Sequence, residues 1–521
     1  MPTLDWIGKK AVVNHHREVP YRLLHCDKAK SAGDPDAGNL LVQGDNLEAL
    51  KALLPYYAGR VKCIYIDPPY NTGNEGWIYN DNVNSPEIKA WLGKTVGKEA
   101  EDLSRHDKWL CMMYPRLRLL REFLDDDGIL FVSIDDIEAR FLRIILDDIF
   151  HPTNFIAQLI WKSRQNKDNR NVTGVSVDHE YVLAYGAPLR GEDRKIEQYT
   201  NADGDLRGPW VSGNMVGLAT ADRRPNLHFD LIDPETKINY GCPAMGWRFD
   251  RKRIAQMISE GRILWPTSSS GRPRQKAFLY EIQQKYTGFS SLVGEGVYTR
   301  DGTKDIDKIF GERVFEFPKP VALIKQLLKQ ATPEGGLVLD SFAGSGTTAQ
   351  AALELAEEDS VSRNFVLVEM NAKVIEDVAR KRLESVSKSS GSGFRFCTLG
   401  EPLFDEQGSV DAAVTFPNLA AHIFFCETGS PIPKRAEGKT PFIGTFRGRA
   451  IYLLYAPDLM GIASEEAGNV LTADLLDRLP VPDEGFEGVR VVYAEGCTIP
   501  DDVLRERAVT FKQVPYQIEG P

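Results

Sequence analysis

Hydrophobic and polar positions change texture along the chain. Between residues 40 and 185, "RVKCIYI" and "GILFVSI" are apolar and β-branched over the length of a strand, which predicts strands buried on both faces. "WLCMMYPRLRLLREFL" repeats apolar residues at helical spacing, so strands and helices alternate as in an α/β fold. From residue 186 to 310 the periodicity gives way to Gly, Pro, Asn, Asp and aromatic residues, which predicts an inserted module with long loops. The alternation then returns: helix "VALIKQLLKQA", strand "GLVLD", helix "TTAQAALELA", strand "NFVLVEM" and helix "AKVIEDVARKRLESV". "SKSSGSG" reads as a linker to a last region that looks like a small α/β or α+β domain. The expected segments are therefore an extension over 1–39, half of a sheet over 40–185, an insertion over 186–310, the other half over 311–390 and a C-terminal domain over 391–521.

The 521 residues, 42% hydrophobic and 26% charged, suit a soluble protein of several domains. No run approaches the roughly 20 apolar residues of a membrane span, and "MPTLDWIGKKAVV" lacks a secretory signal's apolar core. A cytoplasmic protein with no membrane partner is expected. Seven scattered cysteines without metal-ligand spacing predict reduced thiols and no structural metal. The net charge of -11 argues against a polyanionic partner until its distribution is considered. Residues 401–521 hold 19 acids and 10 bases, so -9 of the total lies there. Residues 237–276 hold nine bases against two acids, and Arg248, Arg251, Lys252, Arg253, Arg272, Arg274 and Lys276 become candidates for phosphate contacts. A solvated basic surface is the plain alternative.

Two motifs at strand ends carry the chemistry. In "LVLDSFAGSGTTAQAA" a strand ends at Asp340, a turn runs through Phe342, Gly344 and Gly346, and a helix starts near Thr347. Glycines let backbone approach a ligand. The lysine of a phosphate-binding P-loop is missing, and an acid, Glu369, ends the next strand where Rossmann-like folds hold ribose hydroxyls. An adenosine ligand without strongly bound phosphates fits, S-adenosylmethionine (AdoMet) above all, with Asp340 toward its amino group. Taken alone, this motif is equally a glycine turn of an unrelated α/β protein. The other motif is "IDPPY": Pro68 and Pro69 cannot donate to a sheet ladder, so the chain leaves the sheet as a rigid loop that holds Asp67 and aims Tyr70. An exocyclic amine is a poor nucleophile. With its hydrogens on the Asp67 carboxylate and the Pro68 carbonyl it can pyramidalise toward a methyl sulfonium, while Tyr70 stacks on the ring. The acids of "DDDG" and "IDDIE" are expected as solvated caps rather than metal ligands, His15 and His16 as surface residues, and Trp210, Trp247 and Trp265 as core.

Asp67-Pro68-Pro69-Tyr70 with Phe342-Ala343-Gly344-Ser345-Gly346 resembles the amino-group DNA methyltransferases, and D-P-P-Y resembles adenine-N6 more than cytosine-N4 enzymes. The catalytic motif precedes the AdoMet motif, the order of the circularly permuted β class. "NLLVQGDNLEAL", "IDPPYNTGNEGWIYND" and "FPKPVALIKQLL" resemble in particular the Mod subunit of type III restriction–modification systems. The resemblance implies a Rossmann-like AdoMet-dependent methyltransferase sheet with an inserted target-recognition domain and a small C-terminal domain for dimer or partner contacts. It implies that Asp45 contacts the AdoMet adenine, that Phe317, Pro318 and Lys319 line the cofactor site, and that Tyr70, Asn71 and His179 (in "DHEYVLAY") meet a flipped base. Double-stranded DNA, a homodimer and a Res helicase–nuclease are the implied partners. An orphan adenine or cytosine-N4 methyltransferase and a catalytically silent DNA-recognition module are the alternatives.

Overall fold

The computed structural model describes residues 4–34, 36–71, 94, 104–168, 174–282, 286–405, 407–456, 469–482, 486–515 and 518. They form two compact units, Met1–Arg190 with Ser290–Pro521, and Gly191–Phe289. The second unit is narrower at both ends than the expected insertion.

The first unit is built on a ten-stranded sheet. Its strands in chain order are β1 (Arg22–Ala32), β2 (Leu40–Gln43), β3 (Val61–Ile66), β4 (Leu124–Ile134), β5 (Phe155–Trp161), β6 (Glu180–Gly186), β7 (Leu292–Val293), β8 (Gly336–Asp340), β9 (Arg363–Glu369) and β10 (Phe394–Pro402). Across the sheet they lie in the order β1-β10-β2-β9-β8-β3-β4-β6-β5-β7. The six strands from β10 to β4 are parallel. β6 is antiparallel to β4 and to β5, and β1 is antiparallel to β10. Helices α1 (Asn46–Tyr57), α2 (Arg105–Phe123), α3 (Ala139–Phe150), α4 (Val321–Ala331), α5 (Thr347–Asp359) and α6 (Arg380–Ser390) belong to this unit, and Trp109, Leu117, Leu120, Leu142 and Leu146 bury in one core with Ile64, Ile66, Leu130 and Val132. Cover on both faces explains why β3 and β4 read as continuous apolar runs.

From β3 the chain passes through α2 to β4 on one side, and from β8 through α5 to β9 on the other. β3 and β8 are neighbours, with Ile64 opposite Leu339. A crevice outside the carboxyl ends of two such strands is a topological switch point, where open α/β sheets bind ligands.

Three expectations change. Both the N-terminal extension and the segment after the linker supply sheet strands, β1 and β10, so the catalytic sheet extends beyond 40–390. Their antiparallel register sets Cys26 opposite Cys397, Cα atoms 4.0 Å apart, and the sulfurs are bonded, which corrects the expectation of seven reduced thiols. His16 is buried rather than on the surface: burial, with nearby Arg118 and Lys51, lowers its pKa to about 4. The C-terminal part of this unit holds helix α7 (Phe416–Thr428) and a four-stranded sheet, and its core includes Leu23 as well as Leu419, Phe424, Ile451 and Tyr493. Among the described residues no helix is long and apolar enough to cross a membrane.

The second unit has a three-stranded antiparallel sheet, with Arg274–Phe278 between Trp210–Asn214 and Ile263–Leu264. Trp247 anchors its core with Met215, Phe229, Ile254 and Met257, and Trp265 packs at its edge. Trp210 is only half-buried, its indole N–H donating to Asp203.

Candidate active site

The carboxyl end of β3 runs directly into Asp67. Pro68 and Pro69 turn the chain out of the sheet, and the Pro69 carbonyl accepts the indole N–H of buried Trp109 at 2.7 Å. This bond and the fixed proline φ angles leave the loop little freedom. Tyr70 follows, and its hydroxyl donates to Glu180 Oε2 at 2.9 Å. Asn71 takes φ 60°, a left-handed conformation that asparagine tolerates. Its side chain is 1% exposed and its amide donates to Glu138 and to the Arg105 carbonyl. The expected contact of Asn71 with a target base is therefore corrected: it supports the loop from behind. Glu138 also binds His106 and is itself fully buried, so this acid of "IDDIE" is not a solvated cap.

The neighbouring strand β8 ends at Asp340. One carboxylate oxygen accepts the Phe342 backbone N–H at 2.9 Å, the other the Thr348 hydroxyl at 2.6 Å. Gly344 and Gly346 adopt φ 51° and 79°, which favours glycine, and a Cβ on Gly346 would lie 2.8 Å from Leu383 Cδ1. Beneath the loop, buried Arg382 donates to the Ser345 carbonyl and hydroxyl and to Thr347 Oγ1. Glu369, ending β9, accepts the N–H of Gly344 at 2.9 Å and of Asn371 at 2.8 Å. Burial pushes both Asp340 and Glu369 up to about 7, because only neutral hydrogen-bond donors oppose it.

The two motifs line one cleft of about 340 Å³, together with the segment before α4. Asp67 and Tyr65 stand on one side, Asp340, Phe342, Gly344, Thr347 and Thr348 on another, and Phe315, Phe317, Pro318 and Lys319 close it. Phe317 has φ 53°, the strained left-handed region for a bulky residue, at the turn that delivers Lys319. The Lys319 ammonium lies 3.1 Å from Asp67 Oδ1 and 2.9 Å from Glu180 Oε2 and contacts the Tyr70 hydroxyl.

Other expected residues lie around this cleft without lining it. Asp45 ends the turn after β2 and caps α1 through the N–H groups of Leu47 and Glu48, while its other oxygen pairs with buried Arg116 at 3.0 Å. His179 packs on the Tyr181 ring, with Nε2 2.9 Å from its hydroxyl. Its neighbour Glu180 makes the contacts with Lys319 and Tyr70. In the second unit Arg248, Arg251, Lys252, Arg272 and Arg274 are exposed and Arg253 is half-buried. Lys276 is corrected: it is 8% exposed, and Asp203 and Asp205 hold its ammonium, so it is a structural cation rather than a phosphate contact.

A permuted parallel sheet whose two motif-bearing strands meet at the switch point defines an α/β methyltransferase of the amino-group type. The chain belongs to the DNA methylase family, whose pattern spans residues 61–380. It is 28% identical over 493 residues to the Mod subunit of the type III restriction–modification enzyme EcoP15I from Escherichia coli, covering 81% of this chain and 74% of that protein. To the EcoPI Mod subunit of Escherichia phage P1 it is 30% identical over 502 residues, with 81% and 74% covered. Among solved structures, that of the M1.HpyAVI–SAM complex aligns with a TM-score of 0.28 at 14% identity, covering 66% of this chain and 98% of that one.

Proposed function

We propose that the protein is a site-specific DNA adenine-N6 methyltransferase, the modification and recognition subunit of a type III restriction–modification system, with AdoMet as its methyl donor. The observation that carries the reading is the single cleft in which Asp67 of D-P-P-Y meets the loop of Phe342, Gly344 and Thr347. The residues there fit AdoMet. Asp340 lines the cleft as a buried carboxylate to which, among the described residues, only neutral donors offset burial, and a cationic ligand would provide a charge to do so. Asp340 would take the amino group, Glu369 the ribose hydroxyls and Asp45 the adenine. Phe317, Pro318, Phe342, Gly344 and Thr347 would form the wall, and Gly346 would give the loop its turn. When bound, AdoMet supplies an electrophilic methyl group on a positive sulfur.

The protein's part is positioning and electrostatics. Asp67 and the Pro68 carbonyl accept the two amine hydrogens, which localises the nitrogen lone pair. Asp67 would then take the surplus proton that the amine must lose once it carries the methyl group. Tyr70, held by Glu180, stacks on the base. His179 flanks it. A target adenine must be flipped from the duplex, which costs a few kcal/mol that DNA binding offsets. The unit Gly191–Phe289 would supply that binding. Arg248→Ala is expected to reduce the slope of log affinity against log salt by about 1. Lys276→Ala is expected to leave that slope unchanged and to lower the melting temperature, because it removes the buried cation that bridges Asp203 and Asp205. Salt-dependent binding and thermal melts of the two variants separate these outcomes.

Modification sequencing of a methylation-free host expressing this chain tests the function. N6-methyladenine on one strand of one asymmetric site is the expected result, and N4-methylcytosine would overturn the adenine assignment. A helicase–nuclease that co-purifies separates a restriction subunit from an orphan enzyme, and sedimentation checks the proposed homodimer.

A further inference from the structure

We infer that Lys319 and Glu180 are positioning residues of the transfer step: Lys319 holds one oxygen of Asp67 so that the other faces the amine, and Glu180 fixes both Lys319 and the Tyr70 ring. This rests on the methyl transfer proposed above and differs from the expectation that Lys319 serves the cofactor.

The sequence already prepares the pairing. D-P-P and P-K-P are two proline-stiffened segments from opposite halves of the sheet, and the fold sets the acid of one against the base of the other. Lys319 is 9% exposed, far below what a lysine accepts without partners. It has three: Asp67 Oδ1 at 3.1 Å, Glu180 Oε2 at 2.9 Å and the Tyr70 hydroxyl. Its ammonium also lies 4.6 Å from the Tyr70 ring centre and 5.7 Å from that of Trp161, within cation–π range. Asp67 Oδ1 is shut off from solvent and meets Lys319 as an ion pair rather than through an aligned hydrogen bond, whereas Asp67 lines the cleft. Oδ2 is thus the oxygen left for the amine. Glu180 meets the ammonium and the Tyr70 hydroxyl with the same oxygen, so base-stacking ring and catalytic carboxylate are tied through one junction.

The charges agree with this geometry. Burial raises the Asp67 pKa, Lys319 is the main influence lowering it, and Glu180 raises it further. Burial acts to lower the pKa of Lys319, but Asp67 and Glu180 outweigh it and keep the ammonium charged. Asp340, Tyr65 and Tyr70 are the other titratable groups that face Asp67.

Single-turnover methyl transfer from AdoMet to duplex DNA, measured against pH, tests the inference on Lys319→Met, Lys319→Arg and Glu180→Gln, with calorimetric AdoMet affinity as a check of folding and of the cofactor site. Lys319→Met is expected to move the acid limb of the rate upward by about one pH unit or more, with AdoMet affinity within about threefold. Lys319→Arg is expected to restore the limb. Glu180→Gln is expected to move it downward, the direction loss of a neighbouring carboxylate demands. Limbs that stay in place, or a tenfold loss of AdoMet affinity in Lys319→Met with its limb unmoved, would overturn the inference. If Lys319→Met fails to fold, the opposite displacement in Glu180→Gln decides alone. Wild-type protein that transfers no methyl group would instead overturn the proposed function itself.

Discussion

Asp67→Asn is expected to lower methyl transfer by about 10³-fold or more while leaving AdoMet affinity within a few-fold of wild type. The substitution is nearly isosteric, so the loop, the Trp109–Pro69 hydrogen bond and the cleft remain. What changes is the pattern of donors. In the native protein both neighbours of the carboxylate are donors: Lys319 at Oδ1, and the amine proposed at Oδ2. An amide has one acceptor. If its oxygen faces Lys319, its NH₂ meets the amine donor to donor; if it turns over, its NH₂ meets an ammonium. Either orientation loses a charge contact and leaves polar groups opposed in a buried site, each worth a few kcal/mol. Transfer of labelled methyl groups from AdoMet to DNA reads the rate, and calorimetry reads the affinity. A variant that keeps a tenth of the wild-type rate would show that Asp67 does not hold the reacting amine.

Local patterns carried the sheet and both motifs into the sequence reading. "RVKCIYI" and "GLVLD" mark buried parallel strands because both faces are covered, and the prolines and glycines that follow them are required by backbone geometry alone. Pairing over long separations leaves no such mark. Nothing near Cys26 announces that it lies opposite a residue 371 positions away, nor that β1 and β10 join a sheet whose other strands begin at Leu40. Buried charge is hidden for the same reason. Lys276 reads as part of a basic stripe until Asp203 and Asp205, about seventy residues earlier, fold onto it. Glu138 reads as one acid among several until Asn71 and His106 reach it. Glu180 reads as the first residue of an ordinary strand until the fold brings Lys319 and Tyr70 to its carboxylate.

Asp340→Asn is expected to do two things of opposite sign: raise the stability of the free protein at pH 8 and weaken AdoMet binding by about 100-fold. The fold accepts either side chain, since an asparagine oxygen still takes the Phe342 N–H and the Thr348 hydroxyl can turn to accept from the amide. Burial raises the Asp340 pKa from 3.8 to about 7, so the folded state prefers the neutral acid. Its destabilising effect is absent below the unfolded value, grows as pH rises toward 7 and is constant above it, where it corresponds to roughly 4 kcal/mol at most. The gain of Asp340→Asn in thermal melts should therefore be largest above pH 7 and fade by pH 4. Binding runs the other way. A cationic amino group needs the ionised acid, so wild-type affinity should tighten with rising pH until about 7 and then level off. Glu369 titrates in the same range but would meet neutral hydroxyls, which discriminate less between its charged and neutral forms, so most of the pH dependence should vanish with Asp340. A variant that binds AdoMet like wild type at pH 8 would remove Asp340 from the donor site. One that binds weakly and is also less stable would show that the carboxylate holds the loop together rather than waiting for a cation.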